Sequence, residues 1–212
     1  IEGVPYLKGI TYRPIPDRIE AGTLILAIAA TRGKARLVDV DSSHMNALMI
    51  KLSEAGVAFE EGDGTLTVDA TRSLGPVDVV AVEYPGIATD LQAPFGAFLS
   101  TIPGVSHVED HVYPDRFTHI EELKHTGADF ELNERTLKIE GGTLHGAKMQ
   151  AADIRAGGAL IVAALAAHGT SVITGLQFIE RGYENIAGRL QGLGADIHRS
   201  EVALVATGTY GD

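Results

Sequence analysis

The sequence predicts an α+β fold in which one domain is built from three mixed α/β repeats. The first observation is a recurring ending, in which an apolar helical turn leads to a glycine and then to an extended stretch. This ending occurs three times, at intervals of about 70 residues, which is typical of an internal repeat. Its copies are Leu52–Phe59, Leu123–Phe130 and Leu190–Ile197, with glycines at Gly56, Gly127 and Gly194.

The second observation is a more apolar helix earlier in each repeat, and every copy follows an aspartate of the type that caps helices. These inner helices are predicted at Ile19–Thr31, Leu91–Thr101 and Ile154–Ala167, after Asp17, Asp90 and Asp153. The third is apolar all round over Ala159–Ala167, which suits a helix buried on every side.

Strands complete each unit, which reads strand–helix–strand–helix–strand–strand. The leading strands are predicted at Ile10–Pro16, Val77–Glu83 and Gly146–Ala151, and the first of them is irregular or at a sheet edge because it contains prolines. The strands after the inner helices are predicted at Ala35–Val40, Val105–Val112 and Thr170–Phe178. The hairpins are predicted at Val57–Glu60 with Thr65–Val68, Asp129–Leu132 with Thr136–Ile139, and Asp196–His198 with Val202–Val205.

The repeats are expected to form a single domain over residues 1–212. No single unit can bury both of its helices and its sheet, whereas three units packed together can do so with the apolar helices inside. The repeat boundaries are residues 10–70, 77–141 and 144–207. With 45% hydrophobic and 21% charged residues, the composition excludes intrinsic disorder.

Composition also excludes several classes of function. The net charge of −11 argues against a general affinity for nucleic acid, which requires a basic surface. The absence of cysteine excludes disulfides, thiolate metal sites and a cysteine nucleophile within this chain. No charge-free apolar stretch of about 18 residues is present, so no membrane partner is predicted. The chain opens with Ile1 rather than methionine, which suggests a piece of a longer protein.

Arginines at predicted helix starts are the strongest chemical signal. A cation there opposes the helix dipole at a cost of about 0.3–1 kcal/mol, unless it helps to bind an anion with the helix N-terminus. Four arginines fit this description: Arg18, Arg116, Arg155 and Arg181. The alternative is that each pairs with a neighbouring acid, such as Asp17, Asp115, Asp153 or Glu180.

Histidines give weaker signals. His107, Glu109 and His111 alternate on a predicted strand. Their spacing does not place a third ligand, so no metal site is assigned. His119 and His125 lie six residues apart on a predicted helix, so they do not share one face, and we expect both to be solvated.

Five motifs, in order along nearly the whole chain, resemble the UDP-N-acetylglucosamine enolpyruvyltransferases, which begin bacterial peptidoglycan synthesis. They are Ile15–Thr23, Tyr84–Ala93, Asp115–Leu123, Ala152–Ala156 and Glu180–Glu184. The shikimate enolpyruvyltransferases share the fold but lack the Arg-Gly-Tyr-Glu and Thr-Asp-Leu-Gln patterns. This chain departs from the resembled family beside these motifs, at Pro94, at Pro114-Asp115 and at Gly157-Gly158.

The resemblance implies one half of a two-domain cytoplasmic bacterial enzyme whose active site lies between the domains. Each domain of that family is an inside-out α/β barrel of three repeats, and this chain looks like the C-terminal one. The N-terminal domain, which carries a reactive cysteine or aspartate loop and a Lys-Asn pair, is missing here and is the expected partner. The implied substrates are UDP-N-acetylglucosamine and phosphoenolpyruvate, with no cofactor and no metal.

The resemblance also implies roles for individual residues. Asp90 matches the carboxylate that contacts the sugar hydroxyl and acts as the base, while Arg155 and Arg181 match arginines on the phosphoenolpyruvate side. Arg116 matches another arginine of the cleft. The remaining substrate-binding positions are Val112, which matches a backbone contact to the nucleotide sugar, and Asp153, which lies beside the cleft.

Two other functions stay open on the sequence alone. The first is a non-catalytic nucleotide-sugar-binding or scaffold domain of the same fold. The second is a relative of the RNA 3′-phosphate cyclases, which use similar repeats. The acidic charge disfavours an RNA substrate, and the nucleophilic histidine motif of the cyclases is not evident.

Overall fold

A computed structural model describes residues 2–200 of the chain as a mixture of helix and sheet, which agrees with the predicted α+β class. The helices, in chain order, are α1 (Arg18–Ala30), α2 (Asn46–Glu54), α3 (Gln92–Leu99), α4 (His119–Lys124), α5 (Ile154–Ala166), α6 (Leu176–Ile179) and α7 (Ile186–Gly192). The strands are β1 (Lys34–Val38), β2 (Ala58–Gly62), β3 (Thr65–Asp69), β4 (Val79–Ala81), β5 (Gly104–Asp110), β6 (Asp129–Asn133), β7 (Thr136–Gly141), β8 (Lys148–Gln150) and β9 (Val172–Thr174).

The three apolar helices predicted to lie inside are α1, α3 and α5, and they pack against one another at the centre of the core. Every residue of α3 is buried, as is the continuous stretch Ala156–Ala163 of α5. Such helices show no polar face because apolar neighbours surround them on all sides.

Helices α1 and α3 run in the same direction. At their N-terminal ends Gly22 faces Leu91, and at their C-terminal ends the Arg32 guanidinium donates to the Thr101 carbonyl at 2.8 Å. The start of α5 also lies at this N-terminal end, because Arg155 contacts Asp90 immediately before α3. The beginnings of all three inner helices are therefore brought to one end of the molecule.

Three small sheets surround the inner helices, in the orders β1-β3-β2, β4-β5-β7-β6 and β8-β9. The predicted first and second hairpins are confirmed as the antiparallel pairs β2–β3 and β6–β7. The leading strands of the second and third units are also present as β4 and β8, and each pairs in parallel with the strand that follows its inner helix.

Several predicted strands differ from the structure. Residues 10–16 form no strand and are mostly exposed, because prolines remove two backbone donors there. The prediction for Thr170–Phe178 is wrong at its end, since the strand stops at Thr174 and α6 follows the left-handed Gly175. Asp196–His198 is not a strand, and Val202–Val205 lies outside the described residues.

The glycine that defines the repeat has the predicted backbone conformation in all three copies. Gly56, Gly127 and Gly194 have φ values of 108°, 85° and 95°. This region is strained for residues with a Cβ, so glycine ends the outer helix and turns the chain. Within residues 2–200, no helix is long and apolar enough to cross a membrane.

Candidate functional site

Asp90 lies in a 3₁₀ turn, Thr89–Leu91, immediately before α3. The prediction that it caps the inner helix is wrong, because Leu91 occupies the cap position of α3 and no side chain caps that end. The 3₁₀ turn places the aspartate before the cap position of α3. Its carboxylate is thereby released from capping and left to contact other side chains.

Two guanidinium groups converge on Asp90. Arg116 Nη1 donates to Asp90 Oδ1 at 2.9 Å, and Arg155 Nε donates to the same oxygen at 2.6 Å. Arg116 also donates to the Thr89 hydroxyl at 3.1 Å and lies over the Tyr113 ring, 4.5 Å from its centroid. The Asp90 side chain is 31% exposed, so this charge-assisted cluster remains accessible from solvent.

The backbone of α5 explains where Arg155 points. Asp153 caps this helix, since its Oδ1 accepts hydrogen bonds from the backbone N–H groups of Arg155 at 2.8 Å and Ala156 at 2.9 Å. The cap places Arg155 in the first helical turn, where the dipole opposes a cation. The Asp90 carboxylate of the neighbouring helix offsets that repulsion.

The alternative that the arginines pair with acids beside them in sequence is therefore wrong for two of them. Arg116 and Arg155 instead share Asp90, which is 26 and 65 residues away from them. Arg18 is the first residue of α1, and its guanidinium lies over the Tyr84 ring, 5.0 Å from the centroid.

Arg181 does not lie at a helix start, which corrects the sequence prediction. It follows the end of α6 at Ile179, and α7 begins only at Ile186. The turn still lies beside the site, because Gly182 packs against Ile154, the first residue of α5. Among the described residues, no carboxylate is within 4.0 Å of the Arg181 guanidinium.

Val112 belongs to a loop that Asp110 holds in place. The fully buried Asp110 carboxylate accepts hydrogen bonds from the backbone N–H groups of Val112 at 2.9 Å and Tyr113 at 2.8 Å, and from the Thr89 hydroxyl. Val112 is 39% exposed. Because its N–H is engaged inside the protein, its carbonyl is the backbone group left to meet a ligand.

Two buried polar side chains near these elements were missed by sequence reasoning. Gln92, the first residue of α3, is fully buried with neither amide atom hydrogen-bonded, and the buried His119 has an unpartnered Nε2. Burial lowers the pKa of His119 to about 4, although the nearby Asp153 charge acts in the opposite direction. The expectation that His119 is solvated is wrong, and its spacing of four from buried Leu123 was the available signal.

The alternating histidines of β5 are engaged locally. His107 Nδ1 lies 3.0 Å from Asp78, and His111 Nε2 lies 2.8 Å from Glu109. Within the part of the chain that the structure describes, no group of three or more histidine and acidic side chains is placed to hold a metal ion.

The arrangement places one accessible carboxylate beside guanidinium groups. The carboxylate of Asp90 can accept a proton from a substrate hydroxyl. The guanidinium groups of Arg116, Arg155 and Arg181 can bind phosphate or carboxylate groups, in a forked geometry that suits such anions. The site thus fits a substrate that carries both a hydroxyl and an anionic group.

Comparisons with known proteins show which family this chain is similar to. A family model described as EPSP synthase (3-phosphoshikimate 1-carboxyvinyltransferase) matches residues 1–190. A UDP-N-acetylglucosamine 1-carboxyvinyltransferase of Thermus thermophilus is 53% identical over 208 residues, which is 97% of this chain and 49% of that relative. Its counterpart in Deinococcus radiodurans is 47% identical over 207 residues, with the same coverage of 97% and 49%. The chain thus spans about half the length of these relatives.

Solved structures of enolpyruvyl transferases share the fold of this chain. The enolpyruvyl transferase NikO from Streptomyces tendae superposes with a TM-score of 0.76 at 26% identity, covering 87% of this chain and 44% of that one. An EPSP synthase from Acinetobacter baumannii superposes with a TM-score of 0.58 at 16% identity, covering 74% and 39%, which shows the shared fold alone.

Proposed function

This chain belongs to the EPSP synthase family, and we propose that it supplies one wall of the active site of an enolpyruvyl transferase. The proposed reaction transfers the enolpyruvyl group of phosphoenolpyruvate to the 3′-hydroxyl of UDP-N-acetylglucosamine and releases phosphate. The observation that carries the proposal is the Asp90 carboxylate held by the guanidinium groups of Arg116 and Arg155. The names of the relatives support the choice of substrates.

In the proposed mechanism, Asp90 accepts the proton of the sugar 3′-hydroxyl while the hydroxyl oxygen forms a bond to C2 of phosphoenolpyruvate. The double-bond electrons take up a proton at C3, supplied from the other half of the cleft. The C2–O bond to phosphate then breaks, and loss of a proton from C3 restores the double bond. Anion binding by Arg155 and Arg181 stabilises the charge that develops on the phosphate and carboxylate.

The arginines have a second consequence in this mechanism. Arg116 and Arg155 both donate hydrogen bonds to Asp90. When an anionic substrate takes over one of the guanidinium groups, the Asp90 oxygen loses one of its hydrogen-bond donors and can accept a hydrogen bond from the sugar hydroxyl instead. Binding of the anion thereby makes Asp90 available to the sugar.

The remaining substrate contacts and the organisation of the domain belong to the same proposal. The Val112 carbonyl contacts the nucleotide sugar, Arg116 lines the cleft, and Asp153 orients Arg155 by capping α5. Residues 1–212 form one three-repeat domain, an inside-out α/β barrel and the C-terminal half of the enzyme. The missing N-terminal half is its partner, in line with the chain covering 49% of its relatives.

Phosphate release from phosphoenolpyruvate and UDP-N-acetylglucosamine tests this proposal. We expect turnover by the full-length protein and none by the 212-residue chain alone, because the chain holds only one wall of the cleft. Arg181→Ala should cost about 2–4 kcal/mol of transition-state stabilisation, whereas Arg135→Ala, in the turn between β6 and β7, should cost little. Nucleotide-sugar binding by the full-length protein without phosphate release would instead indicate a non-catalytic binding domain.

A further inference from the structure

Arg181 lies in a turn that follows the four-residue helix α6 and has no regular structure of its own. Its side chain is exposed, yet Tyr183, two residues further along, is only 2% exposed. The same turn therefore presents a cation to solvent and inserts an aromatic ring into the core. The position of the cation depends on how that ring is held.

A buried hydrogen bond holds the ring. The Tyr183 hydroxyl lies 2.9 Å from the hydroxyl of Thr23, which belongs to the inner helix α1. Thr23 donates its own proton to the Ile19 carbonyl at 3.0 Å. Because a hydroxyl carries one proton, Tyr183 is the donor to Thr23. Burial raises the pKa of Tyr183, so the phenol keeps this proton at neutral pH.

Glycines on both sides let the turn approach α5 closely. A Cβ at Gly158 would lie 2.6 Å from the Tyr183 hydroxyl oxygen, and one at Gly182 would lie 2.5 Å from Cγ2 of Ile154. Ile154 is the residue immediately before Arg155. The turn is therefore seated against the same helical end that carries Arg155.

An ion-pair network ties the far end of the turn to α1. Arg189, on α7, contacts Glu20 of α1 at 2.8 Å and Glu184 of the turn at 3.2 Å. Contacts on either side of Tyr183 thus connect residues 182–184 to two inner helices. Arg181 has no comparable contact with a carboxylate among the described residues, so its location depends on its neighbours in the turn.

We propose that Tyr183 is a positioning residue, whose hydrogen bond to Thr23 holds the turn that carries Arg181 against the start of α5, so that Arg181 and Arg155 bind one anionic substrate. This inference rests on the proposed function, because it assumes that Arg181 binds phosphoenolpyruvate. A small displacement of such a charge weakens its interaction with the developing phosphate. The tyrosine itself does not touch the substrate.

The test compares Tyr183→Phe, Arg181→Ala and the double variant in the full-length protein. Tyr183→Phe keeps the ring and removes one donor, while the Thr23 proton remains bonded to Ile19. We expect kcat/KM for phosphoenolpyruvate to fall about tenfold, with the KM for UDP-N-acetylglucosamine unchanged. In the Arg181→Ala background, Tyr183→Phe should cause no further loss, since no guanidinium is left to position.

Matched variants separate positioning from folding. Thr23→Val should reproduce the effect of Tyr183→Phe, because it removes the acceptor. Thr31→Val, in which the lost hydroxyl bonds to the Ala27 carbonyl at the other end of α1, should leave both KM values unchanged. Thermal unfolding of each variant checks that the protein remains folded.

Two kinds of result would overturn the inference while leaving the proposed function intact. Equal losses for both substrates, or losses that add to those of Arg181→Ala, would show that Tyr183 acts only on the fold. Unchanged kinetics in Tyr183→Phe would show that the hydrogen bond positions nothing. Full activity of Arg181→Ala would instead remove the proposed role of Arg181, and the positioning role with it.

Discussion

The N-terminal ends of α1 and α5 differ from that of α3 in how the preceding aspartate is used. Asp17 Oδ1 accepts hydrogen bonds from the Ile19 and Glu20 N–H groups at 2.7 and 3.2 Å, and Asp153 caps α5 in the same way. Asp90 caps nothing and instead binds two arginines. A short 3₁₀ turn before α3 accounts for the difference.

This comparison shows how one repeated position can serve two purposes. The carboxylate of a capping aspartate accepts hydrogen bonds from the unpaired backbone N–H groups of the first helical turn, which stabilises a helix by about 1 kcal/mol. Once an extra turn releases the carboxylate, it becomes available for charge pairing and proton transfer. Stability and chemistry are thus divided among aspartates that the sequence presents alike.

The largest effect is expected for Asp90→Asn in the full-length protein, where loss of the base should lower kcat by about 10²–10⁴-fold. Phosphate release measures it. Asp17→Asn is the matched control and should leave kcat nearly unchanged, because Asp17 contacts only the start of its own helix. Similar kcat losses for the two variants would mean that the two helix ends do not differ in function.

Arg155→Ala should have the next largest effect, a loss of about 2–4 kcal/mol in transition-state stabilisation. The guanidinium contacts Asp90 and, in the proposed mechanism, an anionic substrate. Arg18→Ala at the start of α1 is the comparison, since Arg18 lies over the Tyr84 ring instead. Steady-state kinetics with both substrates measures the difference, and an equal loss for Arg18→Ala would contradict the assignment.

The buried His119 should make the free energy of unfolding depend on pH. Burial lowers its pKa from 6.5 to about 4, so as the pH falls between these values the unfolded chain takes up a proton that the folded one does not. The free energy of unfolding should therefore decrease by on the order of 3 kcal/mol from pH 6.5 to pH 4. Denaturant unfolding at several pH values measures this change.

The matched variants for this experiment lie at the two ends of α4. His119→Gln should remove this part of the pH dependence. His125→Gln, which alters a side chain that is 58% exposed, should retain it. A wild-type-like acid response of His119→Gln would show that other groups cause the destabilisation.

The smallest effect is expected for Asp17→Ala, which should lower the free energy of unfolding by about 1 kcal/mol through loss of the cap of α1. Asp90→Ala removes no cap, and the loss that it causes comes from the unpaired charges of Arg116 and Arg155, so only that loss should depend on salt concentration. Urea unfolding of the two variants under identical conditions measures the difference. A loss in Asp90→Ala that does not change with salt concentration would contradict the division between the helix ends.

The sequence by itself determined the features that depend on near neighbours. Continuous apolar stretches after an aspartate were sufficient to predict α1, α3 and α5, and the recurring glycines were sufficient to predict the ends of the outer helices. The caps at Asp17 and Asp153 were also predictable, because capping joins a side chain to backbone two or three residues away. The motifs that resemble the family, including the one that contains Asp90, are short runs of neighbouring residues and could therefore also be identified from the sequence.

Only the tertiary structure decided which side chains meet. Arg155 and Asp90 are 65 residues apart, and Tyr183 and Thr23 are 160 apart, so their contacts exist only because the inner helices pack side by side. The burial of His119 likewise depends on what covers α4, although its spacing of four from Leu123 places both residues on one face of the helix. Local patterns determine helices and turns, but charge pairing and burial depend on distances that are set only when those elements pack together.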